Sequence, residues 1–238
     1  MPAGTGDRNA VIFFTGSLAP FHRGHLSTMN AAKRHLQQQG WNVLGGYVSI
    51  LSDLWEGRQG GVYPIIGGAE ARTIMLQLGA RSSDWIMPDF AVDHVLDKEL
   101  LRTKLHPVQR VVERLRHMGA VGKDARISTF WVNGKDAYIQ EEFFAEFAAQ
   151  ADANQRNPLR MLIVDNRDGE NVWSRERIRL TVPELEPFIT RCRARDSDPT
   201  SATRVRAALE SGDRVALRRA VGIPFVQSYL MGLMYDSD

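Results

Sequence analysis

The first strongly patterned segment is an unbroken apolar run, "AVIFF" at residues 10–14, which stops at Thr15-Gly16. A run without polar alternation predicts a strand buried on both faces, as in the middle of a parallel sheet. From residue 24 to 39 the period changes: Leu26, Met29, Ala32 and Leu36 recur at helical spacing, and Gly40 supplies the stop. "WNVLGGYVSIL" at 41–51 predicts a second strand, its paired glycines marking a bulge or a close contact. The glycine-rich "SDLWEGRQGGVYPIIGG" predicts a long loop of the kind that carries function. Next come a helix over "AEARTIMLQLGAR", a short strand at "DWIM" and an amphipathic helix over "HPVQRVVERLRHMG" that ends at Gly119. Two further strands are predicted at 126–134, "RISTFWVNG", and 160–166, "RMLIVDN", with the helical "IQEEFFAEFAAQ" between them. After Trp173 no period is readable until "SATRVRAALESGDRVALRRAVGIPFVQSYLMGLM", which predicts two or three short helices.

Strand and helix patterns that alternate in this way predict an α/β fold: a Rossmann-like open, mostly parallel sheet with helices on both faces and a C-terminal helical segment. One domain is expected over residues 1–238, with the α/β core at about 10–190 and the helical segment at about 200–236. Ligands of such sheets sit outside the carboxyl ends of the strands.

Composition narrows the function classes. Hydrophobic residues make up 43% of the 238 and charged residues 24%, which excludes a disordered or fibrous chain. Thirty basic residues against 28 acidic give a formal charge of +2, which provides no drive toward nucleic acid. A single cysteine, Cys192, excludes an internal disulfide and a cysteine-rich metal cluster, and fits a reducing compartment, cytoplasm or nucleus. No apolar run reaches the roughly 20 residues of a membrane span, and the opening "MPAGTGDRNAVIFF" lacks the form of a signal peptide. A chain neither secreted nor membrane-inserted is expected. Oligomeric state is left open, a homo-oligomer included.

The candidate chemistry begins at "TGSLAPFHRGH". Neither G-x-G-x-x-G nor a P-loop occurs, so two common routes to a nucleotide are absent. A third is present: Gly16 and Ser17 follow a central strand, and Gly24 starts a helix whose free N–H groups and dipole favour an anion. His22 and His25, three apart around that start, are able to donate hydrogen bonds to phosphate oxygens. Without context, histidines so spaced are usually surface or capping residues, and a zinc site would need a third ligand, of which the sequence shows no compelling one. Near the other end, Ser201 and Thr203 of "SATRVR" fit a helix cap, with Arg206 one turn on. By itself that is a well-capped helix.

Strand, then "GSLAPFHRGH", then helix resembles the nucleotidylyltransferase superfamily with its H-x-G-H signature, and "SATRVR" resembles the basic segment with which these enzymes close over a triphosphate. Within the superfamily the chain is most similar to eukaryotic nicotinamide/nicotinate mononucleotide adenylyltransferases, best over residues 11–85 and 201–230. The resemblance implies transfer of AMP from ATP to NMN or NaMN, giving NAD or its deamido form and pyrophosphate, with ATP and the mononucleotide as partners. It further implies Mg²⁺ carried by the triphosphate, with no protein metal ligands.

Residue by residue, it makes His22 and His25 the catalytic pair. Gly16, Ser201, Thr203, Arg206, Gly134 and Asp136 become ATP or phosphate contacts, the last two from "NGKD". Ser17, Arg58, Thr103 and Phe147 become acceptor contacts, and Arg72, Arg167 and Gly169 match further family positions. Two departures stand out: Arg58 is the only basic residue near a loop where the family carries lysine, and Leu100 falls where it carries a stacking tryptophan. Phe147 is the remaining stacking candidate, although Phe143, Phe144 and Phe147 also have the spacing of a helix core face. Two alternatives follow from the same residues: adenylyl or cytidylyl transfer to another phosphorylated small molecule, and a catalytically silent nucleotide binder.

Overall fold

The protein is described here from a computed structural model, which covers residues 8–50, 66–89, 111–119, 121–134, 147, 151, 158–165, 174–181, 183–194 and 200–235. Six strands form one parallel sheet: β1 (Asn9–Gly16), β2 (Asn42–Ile50), β3 (Ile86–Pro88), β4 (Ile127–Gly134), β5 (Leu159–Asp165) and β6 (Ile189–Arg193). Their order is β3-β2-β1-β4-β5-β6. This is the doubly wound order of dinucleotide folds, in which the winding reverses between the first and fourth strands and ligands dock at the carboxyl ends there. The expected open α/β architecture is therefore present, and every strand is parallel.

The register follows from burial. Ala10 pairs with Ser128, Ile12 with Phe130 and Phe13 with Trp131, and β4 continues into β5 with Phe130 opposite Arg160 and Asn133 opposite Ile163. All of β4 up to Asn133 is buried, which explains why its sequence is nearly continuous in apolar and β-branched residues instead of alternating. Phe13 and Phe130 are wholly buried, and each such side chain contributes about 1.5–3 kcal/mol of transfer free energy.

Seven helical elements are named among the described residues: α1 (Arg23–Gln38), α2 (Ala69–Ala80), α3 (Arg175–Thr181), a 3₁₀ turn (Pro183–Phe188), α4 (Ala202–Glu210), α5 (Arg214–Val221) and α6 (Pro224–Tyr235). A further helical stretch covers residues 111–117. Helix ends carry their sequence signals. At the end of α1, Gly40 takes φ +81°, its N–H donates to the Gln37 carbonyl, and the Trp41 N–H donates to that of Leu36. Gly212 repeats this paired closure after α4, and the Asp213 carboxylate then accepts from the N–H groups of Val215 and Ala216 to open α5.

The chain divides into two compact units, each assembled from three stretches: Met1–Phe14, Thr28–Gly46 and His94–Ser197 in one, and Thr15–Ser27, Tyr47–Asp93 and Asp198–Asp238 in the other. In the first, β4, β5 and β6 pack side by side, and the Cys192 thiol, buried, donates to the Ala31 carbonyl at 3.7 Å. Burial pushes that thiol's pKa up, against a smaller opposing effect of Arg34, so Cys192 is held as a thiol. In the second, α4 packs on α5, α5 on α6, and α6 on α2. The C-terminal helices thus share a unit with the segment that carries both candidate histidines.

Candidate functional site

The site is built where β1 ends. Past Gly16 the chain turns through Leu18 at φ +52°, the left-handed region that bulky side chains seldom adopt, and then through a cis Ala19–Pro20 bond. The unusual backbone angle therefore falls on Leu18 instead of the glycine. A Cβ on Gly16 would come nearest the Leu18 side chain, at an ordinary 3.4 Å. The turn is held from outside by two arginines. Buried Arg72 of α2 donates to the Ser17 carbonyl at 2.7 Å, and Arg206 of α4 donates to the Ala19 carbonyl at 2.8 Å.

The two histidines close the start of α1. His22 precedes the first helical residue, and its Nδ1 accepts the Gly24 N–H at 3.1 Å; the Nδ1 of His25 reaches back and accepts the His22 N–H at 3.2 Å. This is a capping box made of imidazoles, and it accounts for the spacing of three. The capping expectation for such a pair is met. It also has a chemical consequence, because a ring nitrogen that accepts carries no proton. In the neutral ring the proton then sits on Nε2, which makes that nitrogen a donor on both rings. The rings stack at 3.7 Å between centroids, and His25 stacks in turn on Phe21 at 5.4 Å.

Gly24 lies between the imidazoles because nothing larger fits. A Cβ there would stand 2.6 Å from the Thr200 carbonyl oxygen and 2.9 Å from the His22 ring. Thr200 is the residue before Ser201, whose hydroxyl caps α4 by accepting the Arg204 N–H at 3.4 Å. Arg206 completes the junction: one nitrogen of its guanidinium donates to Ala19 and the other to the Thr203 hydroxyl at 3.3 Å. The histidine segment and the "SATRVR" segment are thus one local structure, with the starts of two helices, two imidazoles, two hydroxyls and a guanidinium side by side. Helix starts, N–H donors and a fixed cation form a surface suited to an anion.

The other predicted residues fall elsewhere. Ser17 stands just past β1, and its hydroxyl oxygen is sealed from solvent without a hydrogen-bond partner. Gly134 is the last residue of β4. Phe147 is fully buried with its ring 6.1 Å from that of Trp131, the placement of a core side chain. Arg58, Thr103, Asp136, Leu100, Arg167 and Gly169 lie outside the described residues. Sequence reasoning missed the Ala19 and Thr200 carbonyls, since main-chain partners leave no residue-type signal. It also missed Asn133 and Ser49, each one residue short of a strand's end with a sealed, unpartnered polar atom.

Among the described residues no group of three or more His, Cys, Asp or Glu side chains could hold a metal ion, and no helix is long and apolar enough to cross a membrane.

The fold is an open, all-parallel α/β sheet of Rossmann-like form, with the starts of α1 and α4 and their donors brought together past its first strand. No protein-family profile matches the chain. It is 36% identical over 80 residues to a nicotinamide/nicotinic acid mononucleotide adenylyltransferase of Oryza sativa subsp. japonica, a match covering 34% of this chain and 30% of that protein. It is 34% identical over 86 residues to nicotinamide/nicotinic acid mononucleotide adenylyltransferase 2 of Rattus norvegicus, covering 36% and 26%. The same identity and length hold for the Arabidopsis thaliana protein named nicotinamide/nicotinic acid mononucleotide adenylyltransferase, covering 36% and 34%. The match therefore spans about a third of this chain and about a third or less of these relatives.

Proposed function

We propose that this protein is a nucleotidyltransferase that moves the adenylyl group of ATP onto the phosphate of a pyridine mononucleotide, NMN or NaMN. The observation that carries the reading is the junction of the His22-Arg23-Gly24-His25 helix start with the Ser201–Arg206 segment, where Arg206 donates to Ala19 at 2.8 Å. A polyphosphate laid across it would meet donors from both ends of the sequence. The partial similarity to proteins named as mononucleotide adenylyltransferases supports the same reaction.

In this reaction an oxygen of the acceptor phosphate bonds to the α-phosphorus. The bond from that phosphorus to the bridging oxygen breaks, and pyrophosphate leaves with the electron pair. No proton need be abstracted and no covalent enzyme intermediate forms, so the protein's contribution is positioning and charge stabilisation. The Nε2–H groups of His22 and His25 would donate to the α- and β-phosphate oxygens as charge develops. Arg206, Thr203 and Ser201 would hold the β- and γ-phosphates. Gly16 and the orphaned Ser17 hydroxyl would meet the acceptor phosphate, with Arg58 and Thr103 toward the rest of the acceptor. Gly134 and Asp136 would contact the nucleotide's hydroxyl or amide groups. Mg²⁺, when bound, would neutralise triphosphate charge. The described donors at the junction are imidazole, guanidinium, hydroxyl and N–H groups, which suit a metal carried in by the triphosphate.

The test is pyrophosphate release from ATP or CTP with NMN, NaMN, phosphopantetheine or phosphocholine as acceptor. Turnover is expected with ATP and a pyridine mononucleotide. Turnover with another acceptor alone would move the assignment within the transferases, and saturable ATP binding without any turnover would leave a silent nucleotide binder.

A further inference from the structure

Asn133 is an anomaly in the core. It is 5% exposed, and its side-chain nitrogen is sealed from solvent without a hydrogen-bond partner. Leaving a buried donor unpaired costs about 1–3 kcal/mol, and native proteins seldom tolerate it. Strand alternation and register put Asn133 on the face of β4 that also carries Trp131, with Met161 and Ile163 beside it on β5, all buried and apolar. A leucine at this position would have the shape and none of the penalty. The amide also stands next to Gly134 at the carboxyl end of β4, one of the two strands flanking the reversal of strand order, where ligands of such sheets dock.

We infer that Asn133 is a ligand-recognition residue whose side-chain N–H donates to an uncharged acceptor on a nucleotide bound at the end of β4. The inference rests on the proposed function for the ligands and on the buried amide for the residue. An uncharged acceptor is indicated because the donor is a neutral amide whose neighbours Trp131, Met161 and Ile163 carry no charge to neutralise a phosphate. The bases of the proposed substrates offer two groups of that chemistry, a ring nitrogen of adenine and the carboxamide oxygen of nicotinamide. An amide is a matched partner for either, since it presents a donor beside an acceptor.

The experiment uses the full chain as wild type, Asn133→Leu and Asn133→Ala. Thermal melting without ligand is measured first, and then the Kd for ATP and for NMN, each titrated separately by calorimetry. Asn133→Leu is expected to melt at or above the wild-type temperature, while the Kd of one ligand rises about tenfold. A weakened ATP arm places the acceptor on ATP, and a weakened NMN arm places it on NMN. The inference is overturned if both Kd values stay within twofold of wild type, or if the wild type binds neither ligand. Should Asn133→Leu fail to fold, Asn133→Ala decides through the same two titrations. Pyrophosphate release by the wild type separates the two readings. Turnover with unchanged variant affinities refutes only the role of Asn133, whereas ATP binding without turnover refutes only the adenylyl-transfer assignment.

Discussion

The observed cap and the proposed chemistry of His25 fall on different ring nitrogens, and they can be separated by substitution. Its Nδ1 accepts the His22 N–H and closes the start of α1, and its Nε2 is the donor proposed to act on phosphate. Asparagine carries an amide oxygen where Nδ1 sits and nothing where Nε2 sits; glutamine reaches the Nε2 position and abandons the cap. His25→Asn is therefore expected to melt close to wild type with kcat lower by 100-fold or more, the scale of losing one transition-state donor. His25→Gln is expected to lose about 0.5–2 kcal/mol of stability, the worth of a cap. Melting curves and pyrophosphate release check both, and a wild-type kcat in His25→Asn would remove the imidazole from the chemistry. The sequence carried the spacing of the pair and the need for a helix start. It could not say which nitrogen faces the backbone, because neither residue type nor spacing carries the orientation of a ring, and a leucine gives no sign of the left-handed conformation found at Leu18.

At the level of elements, strands and helices with a strong period were legible and the weakly patterned ones were not. Buried β1 holds a continuous apolar run, β4 is nearly continuous in apolar and β-branched residues, and α1 has four apolar positions at helical spacing and a glycine stop. β6, "ITRCR", escaped because Arg191 and Arg193 interrupt it; Arg191 is only partly exposed and pairs with Glu186 of the preceding 3₁₀ turn at 3.2 Å. The close approach of the α1 start to the residue before α4 was equally hidden, since it depends on the absence of a side chain. Gly24→Ala would place a methyl group 2.6 Å from the Thr200 carbonyl, and a main-chain oxygen cannot swing aside as a side chain can. A loss of about 1–3 kcal/mol is expected in urea unfolding. Gly122→Ala, where a Cβ would meet nothing within 4 Å, serves as the control and is expected to change little. Equal stability of the two variants would show that α1 and the Thr200 segment are not held as closely as described.

Across the whole molecule, the chain passes back and forth between two compact units, so neither is a contiguous stretch of sequence. Residues 15–27 and 198–238 nevertheless fall in the same unit, which brings together two segments that the sequence separates by most of its length. From sequence alone, only similarity to an enzyme superfamily linked them. The structure supplies the physical link, the Arg206 to Ala19 hydrogen bond and the packing of Gly24 on Thr200. The most direct measurement is a crystal structure with a non-hydrolysable ATP analogue and NMN. A single triphosphate is expected, with the Nε2 atoms of His22 and His25 and the guanidinium of Arg206 all within hydrogen-bonding distance of its oxygens. A triphosphate bound elsewhere, with those three side chains left in their unliganded contacts, would contradict it.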